Sequence, residues 1–156
     1  MDWWALGLSA GLCLGMGAAE GALSGNDLQR WLTSLKLPRF YPPLWVWVIV
    51  AVLTYILQGI VAYRLLRTGP SPVGAIALAL LVLLMMANIA YNVLLDRRRN
   101  PRFAYLGLVW FLPLLAALEI ALFIGDPVAA ALNLIYVAWV LGFDLPIMRA
   151  LSKLNT

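Results

Sequence analysis

Five apolar stretches, each about as long as a lipid bilayer is thick, dominate this sequence. They cover roughly 3–23, 44–66, 73–95, 103–124 and 128–151. A hydrocarbon core of about 30 Å takes roughly 20 apolar residues in helical form to cross. Apolar residues make up 64% of the chain and charged residues 12%, with a mean hydropathy of +0.92. A soluble domain of this size needs more polar surface than that. The chain is therefore read as an all-α, polytopic membrane protein whose residues 1–156 form a single five-helix transmembrane domain embedded in the lipid bilayer.

Stop signals separate the stretches. Arg67-Thr68-Gly69-Pro70-Ser71-Pro72 ends the second helix and opens the third with proline in its first turn. Asp96-Arg97-Arg98-Arg99-Asn100-Pro101-Arg102 makes a charged hairpin, and Gly125-Asp126-Pro127 is so short that the fourth and fifth helices must be antiparallel neighbours. The first connection, 24–43, is much longer. Within it Leu28, Trp31, Leu32 and Leu35 repeat as one face of an amphipathic helix, with Asn26 and Gln29 placed as a capping box. Long connections in compact bundles are usually functional or disordered, and an apolar stripe argues against disorder. The segment is expected to lie across the bundle mouth as a lid; the alternative is a helix resting on lipid headgroups.

Nine of the eleven Lys and Arg residues fall in the first loop, the third loop and the tail; only Arg64 and Arg67 fall on the other side. The positive-inside rule puts the nine in the cytoplasm, the N-terminus outside and the C-terminus inside. The run Arg97–Arg99 is read as a topology anchor rather than a lipid site, and the net charge of +4 as topology rather than affinity for nucleic acid. Ala18-Ala19-Glu20 looks like a signal-peptide cleavage site, but no basic segment precedes the apolar run, so the first stretch is expected to stay as a helix.

The chain has no histidine and a single cysteine, Cys13, so no internal disulfide, Cys/His metal cluster or histidine-based nucleophile can be built. No catalytic residue, metal or required cofactor is assigned. Three carboxyl groups, Glu20, Glu119 and Asp144, fall inside apolar spans, where an ionised side chain costs a few kcal/mol and must face protein or water. They suggest proton-coupled transport of a small solute, against the blander reading of hydrogen-bonded carboxyls near an interface. Gly7-Gly11-Gly15 and Gly17-Gly21-Gly25 are ladders that allow close helix approach, either in a homodimer or inside one bundle. Asn88, Tyr91 and Asn92 share a face of the third helix; Asn133, Tyr136 and Val140 share one of the fifth; Trp47, Ala51 and Tyr55 share one of the second. Such walls suit a flat apolar ligand with polar edges, or else an aromatic core with interhelical hydrogen bonds.

The stretch Trp31-x-x-x-Leu35-x-x-Pro38-x-Phe40-x-Pro42-Pro43-x-Trp45-Val46-Trp47, with Tyr55, Gly59 and Ala62-Tyr63 beyond it, resembles the tryptophan-rich sensory protein family, also called the translocator-protein, peripheral benzodiazepine receptor or TspO/MBR family. The likeness is sharpest over 31–63 and extends along nearly the whole chain. Departures are Leu37 for a loop lysine, Ala51 and Tyr91 for tryptophans, Val93 for proline, Tyr136 in the fifth-helix aromatic motif, and Phe143-Asp144 for Leu-Asn. The resemblance implies a five-helix bundle in a bacterial envelope membrane, with a cavity beneath the first loop for a porphyrin or haem-related molecule, a sterol-like one or a synthetic benzodiazepine-type ligand. Trp31, Phe40 and Tyr41 would close that cavity, and Trp47, Ala51, Tyr55, Asn88, Tyr91, Asn92, Asn133 and Tyr136 would line it. The expected function is ligand binding for transport or sensing, with proton-coupled transport as the alternative and breakdown of a bound porphyrin a remote third.

Overall fold

The computed structural model describes residues 2–23, 28–69 and 71–155, and all regular structure among them is helical. Chain order runs α1 (Trp3–Leu23), α2 (Leu28–Thr33), α3 (Leu44–Arg67), α4 (Pro72–Arg98), α5 (Pro101–Gly125), α6 (Pro127–Trp139), a π-helical turn (Val140–Asp144) and α7 (Leu145–Leu154). Among the described residues, α1, α3, α4, α5 and the combined α6–α7 unit are long and apolar enough to cross a membrane. Gly25, Asn26 and Pro70, named above in a ladder, a cap and a turn, lie outside the described residues, as do the side chains of Leu28 and Gln29.

Three helix starts are set by one device. Ser71, Asn100 and Asp126 each accept hydrogen bonds from first-turn backbone N–H groups, and a proline follows each of them at the first helical position. Proline there lacks only an N–H that would have no helical partner anyway. The helices therefore begin one or two residues before the apolar stretches do, and α4 runs on through Asp96, Arg97 and Arg98 to a left-handed Arg99. Hydropathy marks where lipid contact ends; the caps decide where the helix ends.

Packing follows the connections: α4 lies on α5, α5 on α6 and α7, α3 on α6, and α1 mainly on α3. The main core collects Val61 and Ala62 from α3, Leu81, Leu84 and Met85 from α4, and Leu118 and Leu122 from α5. A second cluster, around Leu95, Ala104, Leu108, Met148 and Leu151, has Trp31 and Leu35 packed against it. The first loop is held at that end by Asn155, whose side chain donates to the Lys36 carbonyl and accepts from the Lys36 N–H, both at 2.9 Å. The first loop, the α4–α5 turn and the tail thus share one end of the bundle, so α2 belongs to the bundle and not to the headgroup layer.

At the opposite end, Arg64 makes a two-pronged ion pair with Asp126, with Nε–Oδ2 and Nη2–Oδ1 both at 3.0 Å. Asp126 also caps α6 through the N–H groups of Val128 and Ala129. Burial by itself would raise the Asp126 carboxyl; the Arg64 guanidinium and the two backbone donors outweigh it and hold the group below its usual range. A lowered folded-state value stabilises the fold above the unfolded value of about 3.9 and loses that contribution as pH falls through the folded one.

Of the described ladder glycines only Gly17 faces the bundle, where a Cβ would stand 3.8 Å from Tyr55 Cδ2. A Cβ on Gly7, Gly11, Gly15 or Gly21 would meet nothing within 4 Å. The α1–α3 seam runs instead along buried Ser9 and neighbouring Cys13, opposite Gly59. There a Cβ would stand 2.7 Å from the Cys13 Sγ.

Two predictions follow from these contacts. Gly59→Val should cost about 1–3 kcal/mol of stability by overpacking, with partial recovery in a Cys13→Ala background, while Gly11→Ala costs nothing; thermal unfolding in detergent measures all three. Asp126→Asn should lower the unfolding temperature at neutral pH and flatten the wild-type loss of stability below about pH 4. A wild-type acid limb that persists in the variant would refute that role.

Candidate ligand cavity

A cavity of about 400 Å³ opens among α1, α3, α4, α5 and the α6–α7 unit, with α2 at its edge. Its wall is mainly aliphatic and aromatic, with a few polar groups. From α3 come Trp47, Ala51 and Thr54; from α4, Asn88, Tyr91 and Asn92. Tyr136, Trp139 and Asp144 face it from the fifth span, Glu20 from α1, and Leu32 and Tyr41 from the first loop.

Glu20 is the best-connected polar side chain of this wall. Its Oε2 accepts from the Tyr55 hydroxyl at 2.5 Å and from Asn88 Nδ2 at 3.5 Å, and its Oε1 accepts from Asn92 Nδ2 at 2.5 Å. Three donors from α3 and α4 converge on one carboxyl from α1, which is the arrangement an acceptor-only carboxylate requires. This explains why Asn88 and Asn92 must share a face and why α1 stays attached despite burying little else.

The fifth span owes its shape to the π turn. Leu145 N–H bonds to the Val140 carbonyl, five residues back, just before Pro146, whose ring cannot follow an ordinary α turn without clashing. In an unbroken α-helix Asp144 would lie roughly 80° round from Tyr136; the wider turn reduces that offset, so both reach the cavity. Phe143 stacks on Trp139 with centroids 4.5 Å apart, and both rings contact Trp47, at 6.1 Å and 6.4 Å. Tyr41 completes the cluster 5.8 Å from Trp47. Burial, with the nearby Asp144 charge adding, pushes the Tyr41 phenol up to about 12, so it remains a neutral hydrogen-bonding group at physiological pH.

Several residues expected at the site stand elsewhere. Phe40 is 77% exposed and lies under the Arg39 guanidinium instead of closing the cavity. Trp31 packs on the second core cluster, and its neighbour Leu32 reaches the cavity. Tyr55 sits behind the wall, bonded to Glu20. Asn133 is fully buried and donates to Glu119 at 2.7 Å, away from the cavity, which removes both from it. Each miss has one cause: helical spacing says which residues share a face, but not which neighbour that face meets. Trp139 was overlooked although it lies three residues past Tyr136, because the stripe was continued to Val140, which is buried in the main core.

The model of the TspO/MBR family matches residues 9–143, from the α1 face that meets α3 into the π turn. The chain belongs to the TspO/MBR family. It is accordingly an integral membrane protein of the translocator and sensor kind. Among curated proteins, none matches it. Within this TspO/MBR bundle, the positions that depart from the family pattern at Ala51, Tyr91, Tyr136 and Asp144 all fall on the cavity wall. Tyr91 is anchored there as a wall element: its hydroxyl donates to the Ala104 carbonyl at 2.9 Å. Gly107 leaves the space its ring occupies, since a Cβ there would stand 2.6 Å from Tyr91 Cε2.

Tyr55→Phe deletes a donor to a partly buried carboxyl and is expected to cost about 1.5–3 kcal/mol of stability. Thermal unfolding of the detergent-purified variant reads this directly. A loss below about 0.5 kcal/mol would mean that Glu20 does not depend on the phenol.

Proposed function

We propose that the cavity binds a flat, largely apolar small molecule with a few polar edges, of the porphyrin, sterol or isoprenoid kind, and that its occupancy serves transport or regulatory sensing. The observation that carries this reading is the combination of about 400 Å³ of concave space with a wall of Tyr41, Trp47, Tyr91, Tyr136 and Trp139. Small-molecule sites commonly occupy roughly 300–1,000 Å³ and combine apolar walls with a few placed polar groups. Aromatic faces supply large contact area at low entropic cost, and Asn88, Asn92 and Thr54 supply polar edges. The cavity lies at the cation-rich end of the bundle, which the proposal takes as cytoplasmic.

Proton-coupled transport loses one of its three carboxyls, because Glu119 is bound to Asn133 outside the cavity, and keeps Glu20 and Asp144 on the wall. It remains subordinate to ligand binding, since any coupled solute would have to enter the same space.

Trp47 and Trp139 are built-in reporters. Protoporphyrin dimethyl ester, an uncharged flat probe, should quench tryptophan fluorescence saturably in the wild-type protein. Ala51→Phe fills the space beside Trp47 and should weaken that quenching at least tenfold. Equal quenching in both proteins would move the ligand out of this cavity.

A further inference from the structure

The cavity wall carries two carboxyl groups and no basic side chain beside them. Glu20 and Asp144 both line it, and among the described residues of the lining none is lysine or arginine; histidine does not occur in the chain. The two carboxyls also differ in how they are partnered. Glu20 accepts from Tyr55, Asn88 and Asn92, all neutral donors. Asp144 has a buried Oδ1 with no hydrogen-bond partner. Trp139 donates a hydrogen bond to Asp144, and Tyr41, Trp47, Tyr91 and Tyr136 line the same cavity with rings whose faces carry negative electrostatic potential.

We infer that this cavity selects a lipophilic organic cation: a flat apolar body bearing a protonated amine or quaternary ammonium group, placed beside Asp144 and between the aromatic faces. The inference rests on the ligand-binding reading above and narrows it to a class by charge. A buried carboxylate is costly unless a counter-charge or donors satisfy it, and an ammonium group supplies both. Aromatic faces add to the same preference, as they do in sites that recognise quaternary ammonium ligands. A ligand carrying carboxylates would meet the opposite situation. Its charges would enter a low-dielectric space beside two carboxyl groups, with no guanidinium or ammonium in the lining to receive them. A free tetrapyrrole dicarboxylate is thus disfavoured relative to its neutral or amine-bearing counterparts, although its flat core suits the walls.

The position of Asp144 decides this preference more than that of Glu20. Three donors already occupy the Glu20 oxygens, whereas the Asp144 Oδ1 is left with an open acceptor site. Asp144 is also the residue that the π turn rotates toward Tyr136, so the feature of the backbone and the feature of the charge coincide.

The test uses three probes with one flat body: a pyrenebutyl group ending in an ammonium, a hydroxyl or a carboxylate. Energy transfer from tryptophan to pyrene in full-length protein in a non-ionic detergent gives each affinity. Transfer that persists in Ala51→Phe measures partition into the micelle and is subtracted. The ammonium probe should bind at least tenfold more tightly than the carboxylate probe, with the alcohol between them. In Asp144→Asn the ammonium-to-alcohol affinity ratio should fall at least fivefold, and in Glu20→Gln by less. Equal affinity for all three probes would overturn the charge preference while leaving the cavity as a binding site. No specific transfer from any probe would remove the cavity reading, and the cation preference with it. A wild-type preference for the carboxylate, or an unchanged ratio in Asp144→Asn, would assign the selectivity to something other than this carboxyl.

Discussion

An ionisable side chain inside a membrane must find its partners within the protein, and in this bundle Glu20 is where that requirement organises the fold. The first helix buries only a narrow strip, from Ala5 and Ser9 toward Cys13 and Met16, and turns most of its surface outward. Apolar contact offers little to hold it, because lipid tails are as apolar as the neighbouring helices. Close approach at Gly59 brings α1 against α3, and the Tyr55–Glu20–Asn92 bridge then ties three helices through one carboxyl. The same bridge places a carboxyl group on the cavity wall. The attachment of α1 and the chemistry of the cavity are therefore two results of one interaction.

The two ends of the bundle are built differently, and the cavity lies toward one of them. Beyond the main core, Arg64 and Asp126 clamp α3 to the α5–α6 turn with a bidentate pair that also caps α6. At the other end the helices part around the cavity, and the first loop lies over it, pinned to Asn155. The π turn occurs in this wider half. It carries the fifth span past Pro146 with Trp139 and Asp144 both turned to the cavity.

Inside this half, aromatic residues serve as structure and as site at once. Phe143 never reaches the cavity, yet it fixes Trp139 by stacking, and Trp139 in turn meets Trp47 edge-on. Tyr91 gives its hydroxyl to α5 and presents only its ring. Polar reach is thus concentrated in the asparagines, Thr54 and the two carboxyls. On the proposed reading, a wall of that composition discriminates ligands by charge and shape more than by many directed hydrogen bonds.

Much of this was legible along the chain. The five crossings follow from runs of apolar residues, since spanning lipid imposes length and composition on each segment separately. Ser71, Asn100 and Asp126 with their following prolines set the helix starts by local chemistry, and the helical spacing of Asn88, Tyr91 and Asn92 put them on one face before any neighbour was known. What tertiary structure alone decided is which face meets which. Asn133 pairs with Glu119 and not with the cavity, Phe40 points away from it, and Trp139 enters it. Gly7, Gly11, Gly15 and Gly21 of α1 stay open while Gly59, a lone glycine, makes the close contact. Periodicity is a property of one helix, whereas the rotation of each helix about its axis is set by all its neighbours together; a local shift such as the π turn then changes that rotation without any trace in the apolar pattern.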